Sequence, residues 1–258
     1  MTHVDLAVVG SGAGLIVLEA ALNKGLKCAL IERDKFGGTC LNKGCIPTKM
    51  LVYPADLIRE AQRGEKIGVT YPKPHIDWEK ISRRVWQQID VNKELRQGYL
   101  DTENLLVLEG TGAFVDAHTM EVQLKDGGSQ RITADTFLVA AGGRSVLPPI
   151  EGLEEADCLT YENFFGDRYP KAPYKSLVVI GGGVIGVEFA HIFSAFGTEV
   201  SMIGRAPQLL RGEEEESARL VENQLKEYGV HLLLDHEAVR IERKGGMKRV
   251  ISRCFASS

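Results

Sequence analysis

Short apolar runs, each followed by a glycine-rich turn and then by apolar residues at helical spacing, organise this chain. Residues 4–9 read as a buried strand, 10–14 as a turn, 15–23 as a helix ending near Gly25, and 28–31 as a second strand. This is a β-α-β unit, the building block of a parallel sheet with right-handed crossovers. The same order returns at 176–180, 181–183, 184–196 and 200–203. The pattern therefore predicts two domains of one kind.

Between the two units, residues 47–62 and 78–100 carry helical patterns on either side of a loop holding Pro72 and Pro74. Alternating segments at 105–115 and 119–125, with Asp126-Gly127-Gly128 as turn chemistry, predict an antiparallel insertion, and 137–141 returns to a buried strand. The Pro148-Pro149 step marks an exit into a linker, which divides the chain into domains at 1–149 and 150–258. The acidic run at 213–216 reads as a solvated helix start.

Composition narrows the chemistry. With 258 residues and 44% hydrophobic content the chain can bury two cores, and a net charge of -4 gives no electrostatic reason to expect nucleic acid or an anionic membrane as partner. No apolar run approaches a spanning length and no signal peptide is evident, so the expected location is cytoplasmic. Five cysteines, few and odd in number, fit a reducing compartment in which any disulfide is catalytic.

Gly181, Gly183 and Gly186 have full G-x-G-x-x-G spacing after a strand and before a helix. Such glycines allow a tight turn, close approach to a pyrophosphate and close helix packing, while the helix N-terminus, here with Val184 and Ile185, faces the phosphates. In the first unit Gly10, Gly12, Ala13 and Gly14 form the turn, but Leu15 fills the third slot and is expected to widen the helix–strand contact. Glu32, beside Arg33 at the end of the second strand, is placed to accept hydrogen bonds from an adenosine ribose. In the second unit the equivalent position is Gly204. Arg205 and Arg211 there either bind a 2′-phosphate, making NADP the cofactor, or are solvated residues beside NAD.

The most specific segment is Gly37-Gly38-Thr39-Cys40-Leu41-Asn42-Lys43-Gly44-Cys45-Ile46-Pro47-Thr48-Lys49. Two cysteines separated by four residues at a helix start can close a disulfide, and the helix dipole is expected to lower their thiolate pKa. A metal half-site would need further Cys or His ligands, and those are scattered, so no metal is expected. Nicotinamide delivers an electron pair as hydride and a disulfide is reduced through thiolates, so FAD is the natural relay between them.

These residues resemble the class I pyridine nucleotide-disulfide oxidoreductases to about residue 250. The resemblance implies an α/β fold of two Rossmann-like, doubly wound domains with three-stranded β insertions, the first binding FAD and the second NAD(P). It makes Cys40 the interchange thiol and Cys45 the thiol facing the flavin, with Lys49 near flavin N5 and paired to Glu188. Gly38 and Thr39 then contact the FAD pyrophosphate, and Gly112-Ala113 and Ala141-Gly142 are backbone contacts of the adenine end and the domain crossover. Val-Ile-Gly-Val-Glu at 184–188 looks like dihydrolipoyl dehydrogenase, acting on a lipoamide-like small dithiol or disulfide, whereas Gly204-Arg205 with Arg211 looks more like the NADPH-dependent mycothione or glutathione reductases. Intact members are homodimers. Their C-terminal dimerisation domain, with its His-Pro-Thr base, is not seen in this sequence, and His191 reads as a packing histidine. The expectation is a C-terminally truncated, impaired enzyme ahead of two alternatives, a subunit completed by a second chain or a non-catalytic nucleotide-binding module.

Overall fold

The computed structural model describes residues 2–255; residues 256–258, at the end of the sequence, lie outside the described part. In chain order the first elements are β1 (Thr2–Val9), α1 (Gly14–Asn23), β2 (Cys28–Glu32), α2 (Gly38–Asn42), α3 (Cys45–Gly64), α4 (Trp78–Leu100), β3 (Leu105–Phe114), β4 (Thr119–Leu124) and β5 (Ser129–Val139). After them come α5 (Tyr161–Phe164), β6 (Ser176–Ile180), α6 (Val184–Ala195), β7 (Glu199–Ile203), α7 (Glu215–Glu227), β8 (His231–Leu233), β9 (His236–Lys244) and β10 (Met247–Cys254). The fold is the expected mixed α/β type with parallel sheets.

Two compact units form, residues 1–47 with 85–144 and residues 48–84 with 145–258, so the division falls inside α3 and α4. The break at residues 144 and 145 lies close to the proline exit, and the helical excursion at 48–84 groups with the second unit. Among the described residues no helix is long and apolar enough to cross a membrane.

In the first unit β1 pairs in parallel with β2 and β5, and β2 with β3. Beyond Glu109, β3 leaves β2 and pairs antiparallel with β4, which pairs in turn with the start of β5. The three-stranded insertion is thus made by β3 and β5 running past the parallel sheet, and the ring of pairings closes. The sequence placed the returning strand at 137–141, whereas β5 is a single strand from Ser129 to Val139. Its first half alternates buried Ile132 and Ala134 with polar residues, which is the pattern of a strand buried on one face. Ala7, Ala29, Ile31, Val122 and Ile132 pack on one side of the sheet, and Val8, Leu18, Leu30, Phe36 and Tyr99 on the other.

The second unit has a three-stranded parallel sheet in the order β6-β7-β8 and the antiparallel hairpin β9-β10. As an edge strand β6 leaves Val178 and Ile180 partly exposed. On the helical side Trp78 stacks on Tyr169 at 5.8 Å and meets Phe196 edge-on at 5.6 Å, while Phe164 packs on Phe165 and Phe189.

Candidate functional site

In each unit the first glycine makes the same turn. Gly10 has φ 103° and donates to Ile31 O at 2.8 Å; Gly181 has φ 119° and donates to Ile203 O at 2.8 Å. Both sit where only a residue without a Cβ is comfortable. At Gly10 the demand is doubled, because an added Cβ would lie 2.3 Å from Ala140 O. Neither α1 nor α6 has a side-chain cap at its start, so their first N–H groups are not satisfied by a capping side chain.

Leu15 does not set the helix–strand contact in the first unit. That contact falls on buried Gly14, where a Cβ would be 2.8 Å from Val8 Cγ1 and 2.9 Å from Ala140 Cβ. In the second unit Gly186 has the equivalent role: an added Cβ would lie 2.4 Å from Gly181 O and 3.1 Å from Val179 Cγ1 on β6. The one-residue shift lets the first helix approach despite leucine in the third slot.

Glu32 is buried beneath the first turn. Its Oε2 accepts from Ser11 N at 2.8 Å and Ser11 Oγ at 2.6 Å, and its Oε1 accepts from Asp34 N at 2.7 Å. Three donors leave part of the carboxylate's acceptor capacity for a ribose hydroxyl. Ser11, between the two glycines of the turn, is therefore the residue that orients Glu32; Ser11 Oγ also accepts from Gly37 N at 3.1 Å. Arg33 beside it is exposed.

That last bond carries the fold into the redox segment. Gly37 N also donates to Ser11 O at 3.1 Å, and Gly38, at φ 60°, stands so close to Gly12 that an added Cβ would be 2.6 Å from Gly12 Cα. Thr39 and Cys40 follow on α2, which ends at Asn42, and Cys45 opens α3 after the break at Lys43-Gly44. Asn42 is held in place by its Nδ2, which donates to Phe36 O at 2.8 Å and to Gly38 O at 2.9 Å.

Both thiols are free and exposed, and Cys45 is near enough to act on the ionisation of Cys40. The expected lowering of thiolate pKa does not hold for Cys40. Its hydrogen bond with Cys45, partial burial and the charge of Cys45 push it up, and the Ile46 N–H at the start of α3 offsets only part of this. The physical reason is position: Cys40 lies in a short helix rather than in the first turn of a long one, and its nearest partner is another thiol.

Lys49 lies one turn beyond Cys45 on α3, and within the second unit its Nζ donates to Glu188 Oε1 on α6. Val184 and Ile185 are exposed on the first turn of α6. A cleft of about 200 Å³ opens beside the second turn, lined by Gly182, Gly183, Val184, Gly204, Arg205 and Arg211 among others. Gly204 is buried, and an added Cβ there would lie 3.2 Å from Leu234 Cδ2, so a carboxylate side chain would have little room. Arg205 is mostly exposed, with Nη1 4.0 Å from Glu237 Oε1, while Glu237 is more tightly held by Arg253 at 2.8 Å. Gly112 lies within β3, where a Cβ would be 2.4 Å from buried Met120 Sδ, and Ala113, Ala141 and Gly142 are exposed. His191 Nε2 lies 2.8 Å from Asp56 Oδ1, so this histidine is a hydrogen-bond partner as well as a packing residue. Among the described residues no cluster of three or more His, Cys, Asp or Glu could hold a metal.

Comparison with known proteins gives concordant matches. The family model described as pyridine nucleotide-disulphide oxidoreductase matches residues 4–254. The chain is 34% identical over 251 residues to a mercuric reductase of Lysinibacillus sphaericus, covering 95% of this chain and 44% of that protein. It is 34% identical over 267 residues to a dihydrolipoyl dehydrogenase of Zymomonas mobilis, covering 98% and 56%. Among solved structures, the Cu(II) complex of the HOCl-induced flavoprotein disulfide reductase RclA from Escherichia coli matches with a TM-score of 0.83 and 27% identity, over 98% of this chain and 54% of that one. The chain spans about half the length of these relatives.

Proposed function

This chain belongs to the pyridine nucleotide-disulphide oxidoreductase family, and we propose that it moves electrons between NAD(P)H and a small dithiol or disulfide through Cys40 and Cys45, as a dihydrolipoyl dehydrogenase-like enzyme. The observation that carries this reading is the pair of free, exposed cysteines, in α2 and at the start of α3, on the segment that Gly38 seats against the Ser11-Gly12 turn.

The first unit fits FAD. An uncapped helix start and the backbone at Gly10, Gly12, Ala13, Gly14, Gly38 and Thr39 suit the pyrophosphate, and Ser11-oriented Glu32 suits the ribose. We assign Gly112, Ala113, Ala141 and Gly142 as backbone contacts of the same cofactor, with Arg33 at its rim. Gly181, Gly183, Val184, Ile185 and Gly186 take the nicotinamide nucleotide. FAD, when bound, relays the electron pair of the nicotinamide to the disulfide.

The chain's own part is thiol exchange. Once reduced, Cys40 as thiolate attacks one sulfur of the substrate disulfide and expels the other as thiolate; Cys45 then attacks the Cys40 sulfur of the mixed disulfide. The substrate leaves as two thiols after taking up two protons, and Cys40 and Cys45 are left oxidised as one disulfide. Because its neighbour pushes Cys40 up, a proton must be removed before the first attack, and exchange is expected to quicken as pH rises.

The test is anaerobic titration of the FAD-loaded chain with NADH and NADPH while free thiols are counted by alkylation. Two new thiols, mapped to Cys40 and Cys45, are expected; flavin reduction with no new thiol would overturn the reading. Lys49→Met is expected to slow flavin reduction on the order of a hundredfold, the loss typical of a fixed charge aimed at a reacting centre, measured by stopped flow.

A second reading, an NADPH-dependent reductase of low-molecular-weight disulfides, is favoured by the cleft beside Gly204, which carries no carboxylate, and by the charge of Arg205 and Arg211 on its wall. If it holds, replacing both arginines by alanine raises the Kd for NADPH about tenfold or more and leaves NADH unchanged, as expected for lost charge-assisted bonds to a phosphate. Equal effects on the two nucleotides would remove this reading.

A further inference from the structure

In the second unit α3 meets α6 and the end of α7 through a run of polar contacts. They advance along both α3 and α6 in the same direction. Lys49 meets Glu188, Asp56 Oδ1 lies 2.8 Å from His191 Nε2, and Arg59 Nη2 donates to Ser194 Oγ at 2.7 Å. Only the first of these belongs to the site proposed above.

Arg59 differs from the other two. It is 6% exposed, and the groups it meets are all uncharged: Nη1 donates to Gln62 Oε1 at 2.9 Å, and the guanidinium carbon lies 3.9 Å over the Tyr228 ring. Among the described residues its Nε has no partner. Burial accordingly holds its pKa below the ordinary arginine value. An arginine desolvated without a counter-ion is costly, so its retention calls for a compensating role.

Tyr228 closes the network. Its ring lies 5.8 Å from the ring of His191, and its hydroxyl accepts from Arg63 Nη2 at 2.9 Å, the same nitrogen that donates to Gln224 Oε1 at 2.9 Å. Ser194 Oγ, which accepts from Arg59, donates to His191 O at 3.1 Å. The Lys49 and Glu188 side chains, by contrast, are 58% and 29% exposed, and a pair that open contributes too little to set the register of two helices.

We infer that Arg59 is a positioning residue: seated between the Tyr228 ring and Ser194, it fixes the register of α3 on α6 and so keeps Lys49 against Glu188. The importance of that outcome rests on the reading of Lys49 and Glu188 as part of the redox site, but the contact itself needs no cofactor.

The experiment is the rate of Lys49 acetylation by acetic anhydride in the full chain, read by mass spectrometry, with Glu188→Gln setting the unpaired rate. Arg59→Met is expected to raise Lys49 labelling about fivefold, to the Glu188→Gln rate, the size of a partly exposed ion pair. Tyr228→Leu, which removes the ring and leaves Arg59, is expected to do the same and serves if Arg59→Met does not fold; Tyr228→Phe keeps the ring and should match the parent. Ile241→Ala, which opens a cavity in the separate buried cluster of Ile150, Leu153 and Ile241, controls for general loosening. Unchanged labelling in Arg59→Met or Tyr228→Leu, or an equal rise in Ile241→Ala, overturns the inference. If Lys49→Met fails to slow flavin reduction, the redox reading falls and the labelling result stands.

Discussion

Replacing Cys45 by alanine is expected to abolish disulfide turnover while making Cys40 more reactive toward alkylating agents. The two effects have opposite sign because they arise from different properties of the same contact. Turnover requires two sulfurs to bond and separate; with one left, a substrate mixed disulfide on Cys40 has no thiolate beside it to release it. The expected loss is on the order of a thousandfold or more, as when a covalent partner is removed outright. Alkylation requires only the Cys40 thiolate. In the intact pair Cys40 is pushed up first by its hydrogen bond with Cys45 and also by burial and the Cys45 charge. Alanine removes the first and third of these and leaves the Ile46 N–H, which lowers the pKa. The thiolate fraction at neutral pH therefore rises, by about tenfold for each unit of pKa recovered. The measurement pairs thiol release from a small disulfide with iodoacetamide labelling of Cys40 across pH. Slower labelling in the variant would show that Cys45 does not govern Cys40, and undiminished thiol release would show that the pair is not the redox centre.

The direction of that pKa illustrates which features a sequence discloses. Local grammar was sufficient for the glycine turns: Gly10 and Gly181 make the same bond to the strand that follows because both units repeat the same strand, turn and helix. It was sufficient for α4 as well, whose buried Trp78, Val85, Ile89, Asn92 and Tyr99 recur at helical spacing. The dipole argument for Cys40 was local too, but it lost to the effect of a second thiol that the chain brings near only after the break at Lys43-Gly44. Hairpin β9-β10 went unread although Gly245-Gly246 is a two-residue turn signal, since its strands are largely charged and pair with each other rather than with the parallel sheet. Arg59 was beyond reach altogether. Its partners Ser194 and Tyr228 lie far along the chain, and nothing near residue 59 distinguishes this arginine from a solvated one.

Gly38→Ala is expected to cost the chain both its FAD and a large part of its stability, although alanine adds only a methyl group. Two penalties coincide at this position. The backbone is left-handed, with φ 60°, and a non-glycine residue there costs about 1 kcal/mol. The added Cβ would also stand 2.6 Å from Gly12 Cα and 3.2 Å from Gly12 N, and backbone atoms cannot rotate away as a side chain would. To relieve the clash, α2 must withdraw from the Ser11-Gly12 turn, which breaks the two bonds from Gly37 N to Ser11 O and Ser11 Oγ. Ser11 would then be freer to move, and with it the orientation of Glu32. Together these effects are expected to destabilise the chain by about 3 kcal/mol or more. Gly25→Ala separates the two penalties, because Gly25 is also left-handed, at φ 77°, but an added Cβ meets nothing within 4 Å. It should lose only the conformational part, about 1 kcal/mol. Thermal unfolding and quenching of FAD fluorescence on binding read both outcomes. If the two variants unfold together and both hold FAD, the close crossing of Gly12 and Gly38 is not what builds the cofactor site.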